Sequence, residues 1–289
     1  MILVTGASGG LGTAIINVLL ETLPANQIGA LVRNPEKSAS LQEKDIQIFV
    51  SDYNNQKTLV KAFTGVDKLV FVSGNDETDE RISQHRNVIN AAVEAKINHV
   101  YYTSFSNPVE NSKFTFTKAH AVTERYIEKS GLNYTFLRNS FYAEILLPAA
   151  RNAYQTGKLT TAAPYGKTPF IPRFELAAAI AAIVTSNQHP PRAVELTGSR
   201  LYSYSDIAEL ISLTTGKNIS LDIITTEEFK EVYLSMQMPE FLAEGLASIF
   251  DAIEAREYEF ISDDFKKYTG RDPMDLKVFL EASKSFILE

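Results

Sequence analysis

The chain has 289 residues, 45% hydrophobic and 22% charged, enough for a large buried core and ordinary for a soluble globule of one or two domains. The absence of cysteine excludes disulfides, thiolate metal sites and thiol catalysis. The net charge of −7 argues against general affinity for nucleic acid, and no apolar run approaches the length of a membrane span.

The first strand, Ile2-Leu3-Val4, starts almost at the first residue, so a cytoplasmic protein without a signal peptide is expected. Gly6, Gly9 and Gly12 follow in a G-x-x-G-x-x-G spacing with Gly10 extra, and an apolar helical stretch covers 14–23. Strand, glycine turn and helix together are the context a dinucleotide site needs. Glycines allow the tight turn, let the backbone approach a pyrophosphate, and leave its charge at a helix N-terminus. Gly6, Ser8, Gly9, Gly10, Leu11 and Gly12 are therefore cofactor candidates.

The second strand, 28–32, ends in Arg33. In NAD-binding folds a carboxylate stands there to take the ribose 2′-hydroxyl. A guanidinium instead suits a 2′-phosphate, so NADPH is favoured over NADH. A solvated arginine at a strand end is the plainer alternative.

Further strands are predicted at 46–53, 68–74, 99–105 and 134–139, with helices near 80–96 and 116–130. This alternation implies a Rossmann-type, doubly wound parallel α/β sheet with ligands at the carboxyl ends of its strands. That rule nominates Asp52, Tyr53, Ser73, Gly74, Thr103, Ser104 and Phe105 for the cofactor, and Phe105, Asn139, Phe141 and Tyr142 for a second ligand. Asp52 either bonds an adenine amino group or simply caps the strand.

Residues 162–174 carry three prolines and read as loop; a helix over 175–186 and a strand over 193–198 follow. Another helix is expected at 203–217, and Thr225 with Glu228 forms a capping box. The expected division is a Rossmann domain of 1–139 plus 176–198, and a smaller, mostly helical substrate-side lobe of 140–175 plus 199–289.

The segments TGASGGLG at 5–12, LVRNPEK at 31–37, QHRNVINAA at 84–92, YYTS at 101–104 and YTFLRNSFYAE at 134–144 resemble the NmrA-like group of atypical short-chain dehydrogenase/reductases. The resemblance spans essentially the whole chain and is strongest to the branch of NADPH:quinone reductases and triphenylmethane dye reductases. It implies a Rossmann domain, NADPH, and hydride transfer to a flat conjugated acceptor.

The Tyr-x-x-x-Lys pair of ordinary superfamily members is missing. The helix after the fifth strand offers Phe116 with His120 in one register and Phe114 with Lys118 in the other. Sugar epimerisation and alcohol oxidation, which need that relay, are not expected. A quinone needs less help, because hydride addition leaves a stabilised phenolate. Phe105, Phe141, Tyr142, Tyr165, Phe170 and Phe174 are candidate walls for a planar ligand, with ordinary core packing as the alternative for each. His120 stands where the family's histidine does and either serves the nicotinamide ribose or a proton relay, or lies on the helix surface. Tyr142 is the remaining phenol for protonating the acceptor, and His85 reads as a packing or helix-surface residue. No grouping has metal-ligand spacing. Two functions remain open, an NADPH-dependent reductase and a non-catalytic NADP(H) sensor, with a homodimer as the default assembly.

Overall fold

Buried, apolar strands make the sheet. In the computed structural model every residue is described except 39, 40, 42 and 187–190, with the side chains of 37 and 38 also left aside. The strands are β1 (Ile2–Val4), β2 (Ile28–Val32), β3 (Gln47–Val50), β4 (Lys68–Phe71), β5 (His99–Phe105), β6 (Tyr134–Asn139), β7 (Lys158–Thr161), β8 (Ala193–Leu196) and β9 (Ser220–Ile223). Seven of them join in the order β3-β2-β1-β4-β5-β6-β8. The pairs from β3 through β6 are parallel. β8 follows the same direction, with Phe136 N–H on the Arg192 carbonyl and Ser140 N–H on the Leu196 carbonyl. The chain order reverses between β1 and β4, the place where doubly wound sheets bind ligands.

The principal helices are α1 (Gly10–Thr22), α2 (Gln56–Phe63), α3 (Thr78–Glu94), α4 (Thr117–Lys129), α5 (Leu146–Thr156), α6 (Arg173–Thr185), α7 (Tyr204–Thr215), α8 (Thr226–Ser235) and α9 (Glu240–Glu254). Leu3, Leu31, Leu69, Phe71, Tyr102 and Phe136 of the sheet share one core with Phe63, Val88, Ile89 and Ile127 of α2, α3 and α4. α1 packs instead on α6, which is apolar nearly all round and accordingly buried.

Two strands stop earlier than their composition suggests. β4 ends at Phe71 because the next amides turn to side chains: Val72 N–H to Thr5 Oγ1 (3.0 Å) and Ser73 N–H to Thr103 Oγ1 (2.9 Å). After β3, Asp52 accepts the Asn54 N–H at 2.7 Å and turns the chain. α2 begins on an Asn55 cap, and β7 pairs with β9, where the sequence shows a short strand, in a small parallel ladder; α2 and β7 are not apparent from the sequence. The expected capping box at Thr225 forms, and Ser203 caps α7 in a second one.

The chain separates into two units. The first comprises Met1–Glu110, Ala119–Asn139 and Arg173–Glu195; the second comprises Asn111–Lys118, Ser140–Pro172 and Leu196–Glu289. Residues 111–118, expected with the first, belong to the second because their polar groups are satisfied there. Lys113 N–H bonds Glu257 Oε1 (3.0 Å), and Thr115 N–H bonds Ser248 Oγ (3.2 Å). Among the described residues no helix is long and apolar enough to cross a membrane.

Candidate functional site

The glycine turn follows β1. Gly6 has a φ of +57°, a conformation costly for any residue with a Cβ. Gly9 N–H closes the turn on the Gly6 carbonyl at 2.9 Å, and Thr13 Oγ1 locks it to the Ala7 carbonyl at 2.7 Å. A Cβ on Gly12 would overlap the Gly6 carbonyl oxygen and lie 2.9 Å from Ala7 Cα, so only glycine lets α1 approach the turn. Gly9 is the N-cap of α1, no side chain caps the helix among the described residues, and its first turn has no acid. Its leading amides and positive dipole end are thus available to an anion. Ser8, Gly9 and Gly10 are exposed, whereas Leu11 is a core residue.

Arg33 is exposed at the end of β2, close enough to Tyr53 to influence its phenol. The Tyr53 hydroxyl lies within hydrogen-bonding reach of Thr5 Oγ1 and of the Val72 carbonyl (2.8 Å), which straps the ends of β1 and β4 together. Burial pushes this phenol pKa up, so it stays protonated. Asp52 Oδ1 accepts the Asn54 N–H at 2.7 Å.

Ser73 and Gly74 are held by a buried polar network. Gly74 N–H donates to His85 Nε2 (3.2 Å), which makes Nε2 the acceptor and puts the ring proton on Nδ1. Nδ1–H then donates to Thr123 Oγ1 (2.8 Å), whose own proton goes to the Ala119 carbonyl (2.7 Å). Arg81 donates to Ser73 Oγ through Nε (3.1 Å) and a terminal nitrogen (2.7 Å), and that nitrogen also reaches His120 Nε2 at 2.6 Å. An arginine only donates, so His120 Nε2 accepts and its Nδ1–H faces the Tyr102 hydroxyl at 2.9 Å. Burial, and after it the Arg81 charge, lower the pKa of both imidazoles well below the ordinary histidine value. His120 is therefore not on the helix surface, and both its nitrogens are engaged inside the protein. Its two nitrogens face Arg81 and the Tyr102 hydroxyl. His85, likewise, is a buried anchor of the 73–74 loop.

Arg81, Tyr102 and the anchoring role of His85 escape a reading based on motifs. The available signal is that Arg81, Gln84 and His85 fall on the same helical stripe of α3 as Val88, Ile89 and Ala92, and all are buried.

At the carboxyl ends of β5 and β6, the Ser104 hydroxyl and both side-chain polar atoms of Asn139 are buried without a hydrogen-bond partner. Asn139 is only 2% exposed. An unpartnered buried polar group costs about 1–3 kcal/mol, and a site that will receive a polar ligand is the ordinary reason to keep one. Thr103 Oγ1 is used by Ser73 N–H, and the half-buried Phe105 ring lies 6.1 Å from that of His120. Glycine cradle, uncapped helix, strand-end arginine and orphaned amide all lie in the first unit and suit a phosphorylated dinucleotide. Among the described residues no group of three or more His, Asp or Glu side chains could hold a metal.

The aromatic candidates divide. Phe141 and Phe170 are core of the second unit, with ring centroids 6.2 Å apart and Phe141 edge-on to Tyr258 at 5.1 Å. Both are buried. Tyr165 is 74% exposed, and Tyr142 is half-buried where Tyr142 and Ile171 form a parallel bridge. Phe174 belongs to the first unit and is 44% exposed on α6. Phe116, where a relay tyrosine would stand, lies with its ring tip against Gly245 of α9, so closely that any Cβ there would overlap it.

A dinucleotide-binding Rossmann unit without a Tyr-Lys relay is what these features define. The profile of the NmrA-like family matches residues 1–280, and the chain belongs to that family. It is 35% identical over 247 residues to quinone oxidoreductase 2 of Escherichia coli, covering 86% of each chain. It is 26% identical to an NAD(P)H azoreductase of Xenophilus azovorans, covering 98% and 97%. Among solved structures, Citrobacter triphenylmethane reductase complexed with NADP(H) superposes with a TM-score of 0.91 at 35% identity, over 99% of this chain and 100% of that one.

Proposed function

We propose that the chain is a reductase that uses NADPH to reduce a quinone or a similar planar conjugated acceptor. The observation that carries this reading is the use made of the two relay positions: Phe116 is packed on Gly245, and His120 is buried on Arg81 and Tyr102. Such a site suits an acceptor that needs hydride but little help with a proton. The similarity to a quinone oxidoreductase, a triphenylmethane reductase and an azoreductase supports the same acceptor class.

When bound, NADPH supplies the hydride. The amides at the start of α1 hold its pyrophosphate, Gly12 gives the close helix approach that aims them, and Arg33 takes the 2′-phosphate. Arg81 and His85 fix the Ser73–Gly74 loop at the switch point. Asn139 offers amide donors to the oxygen on which negative charge grows, and a donor fixed before reaction costs no reorganisation. Ser104 and Phe105 serve the cofactor side, while Tyr142, Tyr165 and Phe174 are the aromatic residues left for the acceptor. A cytoplasmic homodimer completes the reading, with sedimentation reporting the assembly.

The test is NADPH oxidation followed by absorbance with benzoquinone, naphthoquinone and a triphenylmethane dye, and NADH run in parallel. Saturable turnover that prefers NADPH is expected. Tight NADPH binding with no turnover on any acceptor would replace the reductase with a sensor.

A further inference from the structure

We propose that Arg173, the first residue of α6, is a pyrophosphate-binding residue that works with the glycine turn. The proposal rests on the NADPH reading. The guanidinium lies over Gly10, the first residue of α1: a Cβ built on Gly10 would be 2.9 Å from an Arg173 terminal nitrogen and 3.8 Å from its Cζ. Helical Cα–Cβ bonds tilt toward the N-terminus, so Arg173 covers the side of Gly10 that faces the uncapped start of α1. The leading amides of α1 and this guanidinium therefore sit together, within the first unit.

The start of α1 suits an anion. α1 presents its positive end without an acid in its first turn. Arg173 opens a second helix, α6, of 13 residues. An arginine in the first turn of a helix opposes the dipole, and the one acid there is the buried Glu175. The uncapped start of α1 and the guanidinium beside Gly10 can therefore engage one pyrophosphate together. The planar fork of arginine matches two phosphate oxygens at once. Gly10 is also explained: any side chain there would push the guanidinium away. Arg33 stands apart from this cluster in chain and role, at the end of β2.

Pyrophosphate is common to NADP⁺ and NAD⁺ and absent from adenosine 2′-monophosphate, which separates the two arginines. Dissociation constants are measured by calorimetry for wild type, Arg173→Gln, Arg173→Lys and Arg33→Gln, with all three ligands. Arg173→Gln should weaken NADP⁺ and NAD⁺ by the same factor, about tenfold or more, and leave adenosine 2′-monophosphate within twofold. Arg173→Lys should fall between. Arg33→Gln should give the opposite pattern, weakening NADP⁺ and the monophosphate and sparing NAD⁺. Unchanged affinities in both Arg173 variants overturn the proposal, and so does a loss confined to ligands with a 2′-phosphate. A uniform loss for all three ligands marks a structural role and overturns it too. If wild type binds no nucleotide, the NADPH reading itself has failed.

Discussion

The two units use similar residue types for opposite ends. In the first, polar side chains at strand ends are either tied into a network, as Ser73, His85, Arg81 and His120 are, or left without partners, as Ser104 and Asn139 are. In the second, the rings of Phe141 and Phe170, which composition alone would offer to a ligand, are spent on the unit's own core. A polar group buried without a hydrogen-bond partner is costly, and at a strand end it draws attention to a site; Thr168 and Glu259 show that the second unit keeps such atoms too. A buried ring marks nothing, because burial is what rings ordinarily do.

The contrast is sharpest among the glycines. Gly12 meets backbone, while Gly10 meets only the tip of an arginine. Gly12→Val should therefore destabilise the protein by about 3 kcal/mol or more and abolish NADPH binding. Gly10→Ala should keep its stability within about 1 kcal/mol. Urea unfolding compares them; equal losses would mean the turn is looser than its geometry.

The buried network of the first unit predicts an acid arm. Above an ordinary histidine pKa near 6.5, His85 and His120 are neutral in folded and unfolded chains alike, and their contribution to stability is complete. As pH falls below that value, the unfolded chain takes up two protons that the folded one refuses. Stability should then fall by up to about 2.7 kcal/mol per pH unit until the lowered folded pKa values are reached. His120→Gln should remove about half of that slope in urea midpoints taken from pH 7.5 downward. An undiminished slope would place the titrating groups elsewhere.

These cases show what was legible in the chain. The glycine turn and the parallel pairing of β1 to β6 are legible because the glycine spacing and the strand–helix alternation answer backbone demands that few sequences satisfy. Asn139 was readable as a strand-end position, but its orphaned amide needed coordinates. A short strand at 220–223 is legible, but its partner β7 is not, because four residues carry too little periodicity to separate it from the preceding helix. Arg173 was hidden by distance in sequence, and His120 was placed correctly on its helix without a sign of which nitrogen Arg81 would occupy.

Phe116→Tyr bears on the missing relay. The para carbon, which would carry the hydroxyl, is the ring atom nearest Gly245, so the added oxygen meets backbone. A loss of about 1–3 kcal/mol is expected with no gain of alcohol oxidation, checked by NADP⁺ reduction with secondary alcohols. Appreciable oxidation would show that the ring can swing free and that only a hydroxyl was lacking.

The smallest stability effect belongs to Tyr165, and it decides how far the aromatic reading extends. Phe170→Ala, deep in the core of the second unit, should cost about 3–5 kcal/mol. Tyr165→Ala should stay within about 0.5 kcal/mol of wild type, because a ring that is 74% exposed gives up little burial. Any change it makes in quinone turnover therefore reports contact with the acceptor and not damage to the fold. A KM raised with kcat unchanged would place Tyr165 against the acceptor in ground and transition state alike. Kinetics identical to wild type for every acceptor would remove it from the site and leave Tyr142 and Phe174 as the aromatic residues still to be tested in the same way.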